Sequence, residues 1–393
     1  MSETEKTPLV LCGRELRKTF LRDSGERVIA LDGISLEVMR GTLTALVGPD
    51  GAGKTTLMRL AAGLMTADSG RLSVLGIDVG ADPQPVQERI GYMPQKFGLY
   101  EDLSVEENLD LYAELHGVAR EERRRRYPRL MEMTALGRFT KRLAGRLSGG
   151  MKQKLGLACT LVRAPELLLL DEPTVGVDPL SRRELWEIIL QLVHEQGLTV
   201  LLSTSYLDEA ERCGRVVVLH HGRVLAQGRP TEISGVAEGR TWIAEPPPGH
   251  KASGFQARLL DDPEILDAVP QGGRVRVVTR KKFIAEGDAP TAGASWGGAA
   301  VHAVEPRFED GFMILLRRGP NQETAEIMRE EDEQETGATR SARGEIDRFL
   351  SSSLFVSSSL FPVSLSAGRA AGGEVAVEVR DLVRRFGAFT AVD

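Results

Sequence analysis

Apolar residues in the first part of the chain form short continuous runs that alternate with a helical pattern. LTALVG at 43–48, LLLLD at 167–171 and LTVLLS at 198–203 are continuous apolar runs, which are typical of strands buried on both faces of a parallel sheet. TTLMRLAAGLM at 55–65 instead has its apolar residues at helical spacing. The pattern therefore predicts an α/β domain over 1–235.

The pattern changes after Gly235. Residues 257–316 predict, in order, a strand, a helix, a strand, a gap rich in Gly and Ala, a strand and a helix. We therefore expect a small α+β domain over 236–320. Residues 323–335 carry seven acids against one arginine. A stretch rich in Ser, Gly and Ala follows, so we expect 321–373 to be a flexible linker.

The end of the chain repeats part of its beginning. RDLVRRF at 380–386 matches RELRKTF at 14–20, and AVD at 391–393 matches ALD at 30–32. An internal repeat indicates a second copy of the same unit, so we expect 374–393 to begin a second copy of the first domain. The sequence is then the N-terminal part of a longer tandem protein. A chance match over so short a stretch remains the alternative.

Composition and charge narrow the function classes. The chain is 41% hydrophobic and 27% charged, as ordinary globular proteins are. A formal net charge of −6 is not the basic surplus of nucleic-acid-binding domains, so we expect no nucleic-acid partner. Cys12, Cys159 and Cys213 are too few and too scattered for a disulfide framework, which indicates a reducing compartment. No run of about 18 apolar residues is present, so work at a membrane requires a membrane-embedded partner.

GPDGAGKT at 48–55 has the pattern of a phosphate-binding loop, because it follows an apolar strand and opens a helix. Its glycines let backbone N–H groups approach phosphates without a Cβ in the way, and the helix N-terminus adds favourable positive potential. Lys54 is expected on the outer phosphates, and the Thr55 hydroxyl is expected to bind Mg²⁺. The loop therefore predicts ATP and Mg²⁺ as cofactors.

LLLLDEP at 167–173 carries two adjacent carboxylates at the end of a buried strand. We expect Asp171 to hold Mg²⁺, directly or through water. Glu172 points to the other side of the chain and is expected to polarise the attacking water. Two acids that only cap a strand end are the structural alternative, which the phosphate loop disfavours.

LSGGMKQ at 147–153 distinguishes this sequence from other phosphate-loop proteins. With it, residues 10–230 resemble the ATPase subunit of an ABC transporter. The sequence over 9–47 predicts short strands, and the resemblance implies a phosphate-loop NTPase fold with a mixed RecA-like sheet core, an antiparallel β subdomain and a helical signature subdomain. In this family two cassettes face each other head to tail, so Ser148, Gly149 and Gly150 would act on the nucleotide of the partner cassette.

The resemblance assigns further residues. Gln95 matches the Q-loop, Asp178 matches the D-loop that contacts the partner cassette, and Phe20 matches the aromatic residue that stacks on adenine, with a plain core role as its alternative. The expected catalytic residues are Glu172, Lys54 and Gln95, and the expected Mg²⁺ ligands are Thr55, Gln95 and Asp171. The expected nucleotide-binding residues are Phe20, Gly48, Pro49, Asp50, Gly51, Ala52, Gly53, Lys54, Thr55, Thr56, Gln95, Ser148, Gly149, Gly150, Asp178 and Ser205.

Ser205 departs from the family pattern, which has a histidine at this position. A serine hydroxyl has neither the reach nor the charge of an imidazole. We therefore hypothesise an asymmetric pair, in which the site built on Lys54 binds ATP tightly and hydrolyses it slowly. The alternative is that Ser205 acts through a water molecule with little loss.

SVEENLDLY, VGVDP and YLDEAERC resemble the cassettes of ABC-2-type exporters. The resemblance implies an ATP hydrolase on the inner, cytoplasmic face of the cell membrane that drives efflux through separate permease subunits. The expected partners are ABC-2-type membrane permease subunits and a second cassette in the same chain, with a periplasmic adaptor subunit as a further candidate. EPRFEDGFMILL resembles the C-terminal extension of such subunits, for which dimerisation or regulation is a hypothesis.

Two other classes of cassette protein differ from this sequence in the segments between their motifs. Soluble tandem cassettes that act on ribosomes have a basic helical linker, whereas the acidic stretch at 323–335 would be repelled by a phosphate backbone. Cassettes that act on chromosomes need a long coiled coil between Gln95 and Ser148, but only 52 residues separate these positions.

Overall fold

The computed structural model describes residues 9–96, 98–283, 296–318, 384–386 and 389–392. The described residues up to 318 belong to one compact unit, and those from 384 onward belong to a second. The predicted linker at 321–373 lies outside the described residues. In the part of the chain that the structure describes, no helix has the length and apolar character that crossing a bilayer requires.

The described chain begins with three successive strands and then mixes strands with helices. The strands are β1 Leu9–Leu21, β2 Arg27–Met39, β3 Leu43–Val47, β4 Ser69–Val74, β5 Ile77–Asp78, β6 Ile90–Met93, β7 Leu167–Asp171, β8 Thr199–Thr204, β9 Arg215–His220, β10 Arg223–Gly228, β11 Thr241–Glu245, β12 Ile265–Gln271, β13 Arg274–Thr279, β14 Ala300–Ala303, β15 Arg384–Phe386 and β16 Phe389–Val392. The helices are α1 Lys54–Ala61, α2 Gln84–Gln87, α3 Val105–Leu115, α4 Arg120–Met133, α5 Gly149–Leu161, α6 Pro179–Gln196, α7 Leu207–Ala210, α8 Pro230–Gly235, α9 Ala252–Leu260 and α10 Phe308–Arg318.

The central sheet has six strands in the order β10–β9–β3–β8–β7–β6. Its neighbouring strands are parallel except for β10, which pairs antiparallel with β9. Every residue of β3, β7 and β8 is buried, because one face of the sheet packs against α5 and α6 and the other packs against α1, β1, β2 and β4. The pairing places Thr204 beside Val47 and Ser203 beside Asp171 at the carboxyl ends of the central strands. The phosphate loop and the paired carboxylates lie at this end of the sheet.

Two further layers complete the cassette, as the predicted fold class requires. The strands β2, β1, β4 and β5 form an antiparallel sheet, and α3, α4 and α5 form a helical subdomain whose apolar residues join the core of the central sheet. α3 begins at a capping box, in which Ser104 accepts from the Glu107 N–H at 3.2 Å and the Glu107 carboxylate accepts from the Ser104 N–H at 2.7 Å. The predicted fold class is confirmed.

The small domain has an antiparallel sheet in the order β12–β13–β11–β14. The predicted strand and helix at the start of 257–316 are wrong, because Ala252–Leu260 is a helix and 265–279 form a β-hairpin. Phe255 and Leu259 are spaced four residues apart and are both buried against the sheet, which stabilises the helix. The hairpin turns at Gly272–Gly273, where both glycines have positive φ.

Helix α10 joins the small domain to the cassette. Its Phe308, Phe312 and Leu315 are buried in the cassette core, whereas Ile314 is buried against the small-domain sheet. A Cβ on Gly311 would overlap the carbonyl oxygen of Ile233 in α8, so the two helix backbones are in direct contact. The glycine is what permits this approach.

The second unit contains one described hairpin, β15–β16. Its paired residues are Arg384 with Val392, Arg385 with Thr390 and Phe386 with Phe389, with an irregularity after the first pair. The matching pairs of β1–β2 are Lys18 with Leu31, Thr19 with Ile29 and Phe20 with Val28, with an irregularity at the same place. When the two sequence repeats are aligned, the two hairpins therefore have the same register.

Candidate functional site

The phosphate loop connects β3 to α1, and its backbone has a left-handed conformation at two of its glycines. Gly51 and Gly53 have φ of +78° and +104°, values that residues with a Cβ adopt with strain. A Cβ on Gly53 would also lie 2.5 Å from the carbonyl oxygen of Ala30 in β2. Substitution at Gly53 would therefore displace the loop from β2.

Lys54 lies at the base of this loop and is only 4% exposed. Its Nζ donates to the carbonyl oxygens of Gly48 at 2.7 Å and Pro49 at 3.2 Å. The same Nζ forms an ion pair with Glu172 Oε1 at 3.2 Å. These acceptors hold the ammonium group inside the loop.

Glu172 follows the last residue of β7 and lies beside Lys54. Its φ of +49° is uncommon for a residue with a Cβ, and such strain persists only where the surroundings hold the backbone in place. Its N–H donates to Ser203 Oγ at 3.0 Å, and its Oε2 accepts from Gln95 Nε2 at 3.0 Å. The structure thus brings the three predicted catalytic residues Lys54, Gln95 and Glu172 together.

Asp171 is the last residue of β7 and directly precedes Glu172. Its Oδ1 accepts from Ser203 Oγ at 2.6 Å and from Thr55 Oγ1 at 3.2 Å. Its Oδ2 is buried and has no hydrogen-bond partner among the described residues. Burial and the nearby negative charge of Asp171 raise the pKa of Tyr92. A buried carboxylate oxygen without a partner fits a cation or an ordered water.

Ser203 was not among the predicted site residues. It donates to Asp171 Oδ1 and accepts from the Glu172 N–H, so one hydroxyl holds both carboxylate positions. The signal that could have found it is its place near the end of a predicted neighbouring strand, because parallel strands end at the same edge of a sheet.

Lys54, Gln95 and Glu172 line an open cleft of about 490 Å³, and Asp171 and Ser203 lie behind them without lining it. Phe20 and Ile29 are 39% and 59% exposed at its apolar side, so Phe20 is not a core residue. The residues that line the cleft are Phe20, Val28, Ile29, Ala30, Asp50, Gly51, Ala52, Gly53, Lys54, Thr55, Thr56, Gln95 and Glu172. An apolar ledge beside a loop of N–H groups suits a base that carries phosphates.

The remaining predicted residues do not line this cleft. Ser148 and Gly149 are exposed at the start of α5, where Ser148 Oγ accepts from the Met151 N–H at 3.3 Å. Gly150 is buried, and a Cβ there would overlap the Ser181 side chain. Asp178 is exposed and caps α6, and the hydrogen bond from the Ser181 N–H lowers its pKa.

Ser205 is also exposed, in the loop after β8, and is not among the residues that line the cleft. It directly follows Thr204, which pairs with Val47, the last residue before the phosphate loop. Its loop therefore starts beside the phosphate loop without its side chain reaching the cleft.

Comparison with known proteins identifies the family. The profile of the family described as "ABC transporter" matches residues 31–175. The chain is 43% identical over 353 residues to a probable multidrug ABC transporter ATP-binding protein, YbhF, of Escherichia coli (strain K12). That alignment covers 90% of this chain and 54% of the relative, so the chain spans about half the length of this relative.

Two further matches cover most of the compared protein. The Nod factor export ATP-binding protein I of Rhizobium sp. (strain N33) is 39% identical over 216 residues, which are 55% of this chain and 69% of the relative. The dimeric, post-hydrolysis structure of the ATP-binding cassette MJ0796 bound to ADP and Pi has 25% identity and a TM-score of 0.52, over 56% of this chain and 98% of that one. With the phosphate loop, paired carboxylates and Ser–Gly–Gly turn in place, these likenesses show that the chain belongs to the ATP-binding proteins of ABC transporters.

Proposed function

We propose that the chain binds and hydrolyses ATP in the cleft between the phosphate loop and Phe20. The observation that carries this proposal is the convergence of Lys54, Glu172 and Gln95 at one end of the cleft. Lys54 and the loop N–H groups bind the phosphates, and the ring of Phe20 stacks on the base. Glu172 accepts a proton from the attacking water, oriented by the Gln95 amide.

Mg²⁺ fits the polar groups beside this cleft. Thr55 Oγ1, the Gln95 amide oxygen and the unpartnered Asp171 Oδ2 are the oxygen ligands that a hard divalent cation takes. When bound, the ion neutralises charge on the phosphates. Ser203 holds Asp171 through Oδ1, which leaves Oδ2 available for the metal.

The signature residues complete the site of a second cassette. Ser148 and Gly149 are exposed and lie outside the cleft of their own chain, and the similar cassette MJ0796 has been solved as a dimer. We propose head-to-tail pairing, in which the hydroxyl and N–H groups at the start of α5 contact the γ-phosphate held by the partner cassette. Exposed Asp178 contacts that partner.

The equal registers of β1–β2 and β15–β16 support a tandem protein. We propose that 374–393 correspond to the first strands of a second cassette, which pairs with the first within one chain. The E. coli relative is about twice as long as the region that this chain matches, which is the length that two such units require.

The pair is proposed to be asymmetric, because Ser205 replaces the histidine of the family and does not line the cleft. The cleft of the first cassette then binds ATP and turns it over slowly. Ser205→His is expected to raise its kcat, measured as phosphate release. An unchanged kcat in a folded, ATP-binding variant contradicts the asymmetry.

The proposed role is ATP-driven export. The named relatives are a probable multidrug transporter protein and a Nod factor export protein. We propose that the cassette sits on the inner face of the cell membrane and couples closure of the pair to ABC-2-type permease subunits, with a periplasmic adaptor as a further partner.

Binding of fluorescent ATP analogues with Mg²⁺ tests the nucleotide site. Lys54→Ala removes the ammonium group from the loop and is expected to weaken binding about tenfold or more, whereas the exposed Lys141→Ala is the matched control. Wild-type protein that retains no MgATP, or equal affinities for the wild type and both variants, contradicts the proposed function.

A further inference from the structure

Glu209 is a charged residue that the nucleotide chemistry does not use, and it is completely buried in α7. Its Oε1 accepts from Arg182 Nε at 2.7 Å, and its Oε2 accepts from Thr204 Oγ1 at 2.7 Å. A buried carboxylate requires a paired cation and full hydrogen bonding. Arg182 supplies the cation from α6, so these contacts join two separate segments of the chain.

Arg182 also contacts residues that follow Ser205 in the chain. Its Nη2 donates to both carboxylate oxygens of Asp208 at 2.9 Å, and its guanidinium lies over the Tyr206 ring, 4.2 Å from the centroid. The Tyr206 N–H donates to Thr204 Oγ1 at 3.0 Å. Arg182 therefore contacts the residues after Ser205 directly and reaches Thr204, before Ser205, through Glu209, while Ser205 itself stays exposed.

The bonds from Arg182 through Glu209 to Thr204 connect two segments that belong to the proposed nucleotide site. Thr204 is beside Val47, the residue that precedes the phosphate loop. Arg182 lies one helical turn after Asp178, and its N–H donates to the Asp178 carbonyl at 2.9 Å. The turn that begins α6 and the loop that carries Ser205 are thus bonded to each other through Arg182.

We propose that Arg182 is a positioning residue for ATP hydrolysis, which fixes the 204–208 loop against the first turn of α6 and so holds the end of β8, with Ser203 and Thr204, beside Asp171 and the phosphate loop. This inference rests on the proposed ATPase function. Arg182 is not among the residues that line the cleft, so its effect falls on turnover rather than on binding.

The test compares Arg182→Gln with Arg183→Gln, a neighbouring arginine on the same helix whose side chain is 77% exposed. Arg182→Gln is expected to lower kcat for ATP about tenfold with KM within about twofold, because a small misplacement near the reacting groups slows the reaction. Arg183→Gln leaves both constants unchanged. Arg182→Lys keeps the charge but not the planar fork, so its kcat should lie between those of the wild type and Arg182→Gln.

Loss of stability is separated from loss of positioning by the double variant Arg182→Met with Glu209→Leu. It removes the buried carboxylate together with its partner cation and should restore Tm, but it lacks the contacts to Asp208 and Tyr206, so kcat should stay low. A kcat that recovers together with Tm shows that Arg182 is only structural and overturns the proposal.

Hydrogen exchange provides a readout that does not depend on activity. In Arg182→Gln the Tyr206 amide should exchange faster than in the wild type and in Arg183→Gln, and unchanged exchange overturns the proposal. Wild-type protein that binds no ATP and releases no phosphate would defeat the ATPase function instead, and the exchange data would still show whether Arg182 holds the loop.

Discussion

The nucleotide site has a phosphate-loop half, residues 48–55 with Asp171 and Glu172, and a signature half, residues 148–150. The two halves differ in how many of their polar groups form hydrogen bonds or ion pairs within the chain. In the phosphate-loop half, Lys54, Glu172 and Asp171 are buried and bonded to one another or to shared neighbours. In the signature half, Ser148 and Gly149 are exposed, and the Ser148 hydroxyl accepts from Met151 in the first turn of its own helix. The first half is preorganised by its own fold, whereas the second becomes part of a site only through an outside contact.

Substitution of Glu172 is expected to have the largest effect. Glu172→Gln retains a side chain of the same shape beside Gln95 but removes the proton acceptor, so kcat should fall about 10²- to 10⁴-fold. ATP binding should persist, because the loop N–H groups and Lys54 are unchanged. Phosphate release and equilibrium binding, measured on the same preparation, check both statements, and a parallel loss of binding contradicts the separate roles of Lys54 and Glu172.

Substitution of Ser148 tests the other half. Ser148→Ala removes one hydroxyl that is expected to bind phosphate in the partner cassette, a hydrogen bond to a charged group of about 1.5 kcal/mol. ATPase activity of the paired cassettes should therefore fall about tenfold, while ATP binding to the isolated first cassette stays the same. If Ser148→Ala weakens binding to the unpaired cassette, the signature acts within its own chain and the comparison fails.

Ser203→Ala tests how far the phosphate-loop half depends on its internal bonds. The change removes a donor to Asp171 and an acceptor of the Glu172 N–H in a fully buried place. The free energy of unfolding should fall by about 1–2 kcal/mol. Ser253→Ala, at an exposed position of α9, is the control in chemical denaturation, and equal stability of the two variants contradicts the role given to Ser203.

Substitution of Asp178 is expected to have the smallest effect, and the effect depends on pH. The hydrogen bond from the Ser181 N–H lowers the pKa of Asp178 in the folded state. Its stabilisation is therefore present above the ordinary pKa of aspartate and is lost as pH falls through the lower, folded value. Asp178→Ala should lower Tm by about 1–2 °C at neutral pH, with a smaller difference near about pH 3. Asp178→Asn, which can still cap α6, should lower it less.

The phosphate-loop half could be predicted almost completely from sequence, because its motifs are contiguous. Residues 48–55 and 167–173 each carry their chemistry within a single strand and turn, and the structure brings them together as expected. Ser203 and Arg182 were missed for the opposite reason. Their partners lie 32 and 27 residues away in sequence, so strand pairing and helix packing, rather than local spacing, decide these contacts.

The small domain shows where local pattern fails. Only two buried residues, Phe255 and Leu259, mark α9, and a helix of nine residues gives too few turns for its period to be distinct. The two glycines at 272 and 273, between β12 and β13, have positive φ and are a hairpin signal. This signal favours a strand before the turn, where a helix was predicted. Whether a short amphipathic segment forms a helix or a strand therefore depends on the residues that pack against it.

The contact of Gly311 with Ile233 has a mechanical consequence. Where two helix backbones touch without intervening side chains, neither helix can slide or rotate on the other without a clash. The small-domain sheet is joined to α10 by the buried Arg276–Asp310 ion pair, in which Nη2 and Oδ2 are 2.6 Å apart. A displacement of this sheet would consequently move α10, α8 and the adjoining strand β10 together. The small domain and this part of the cassette are therefore expected to move as one rigid unit.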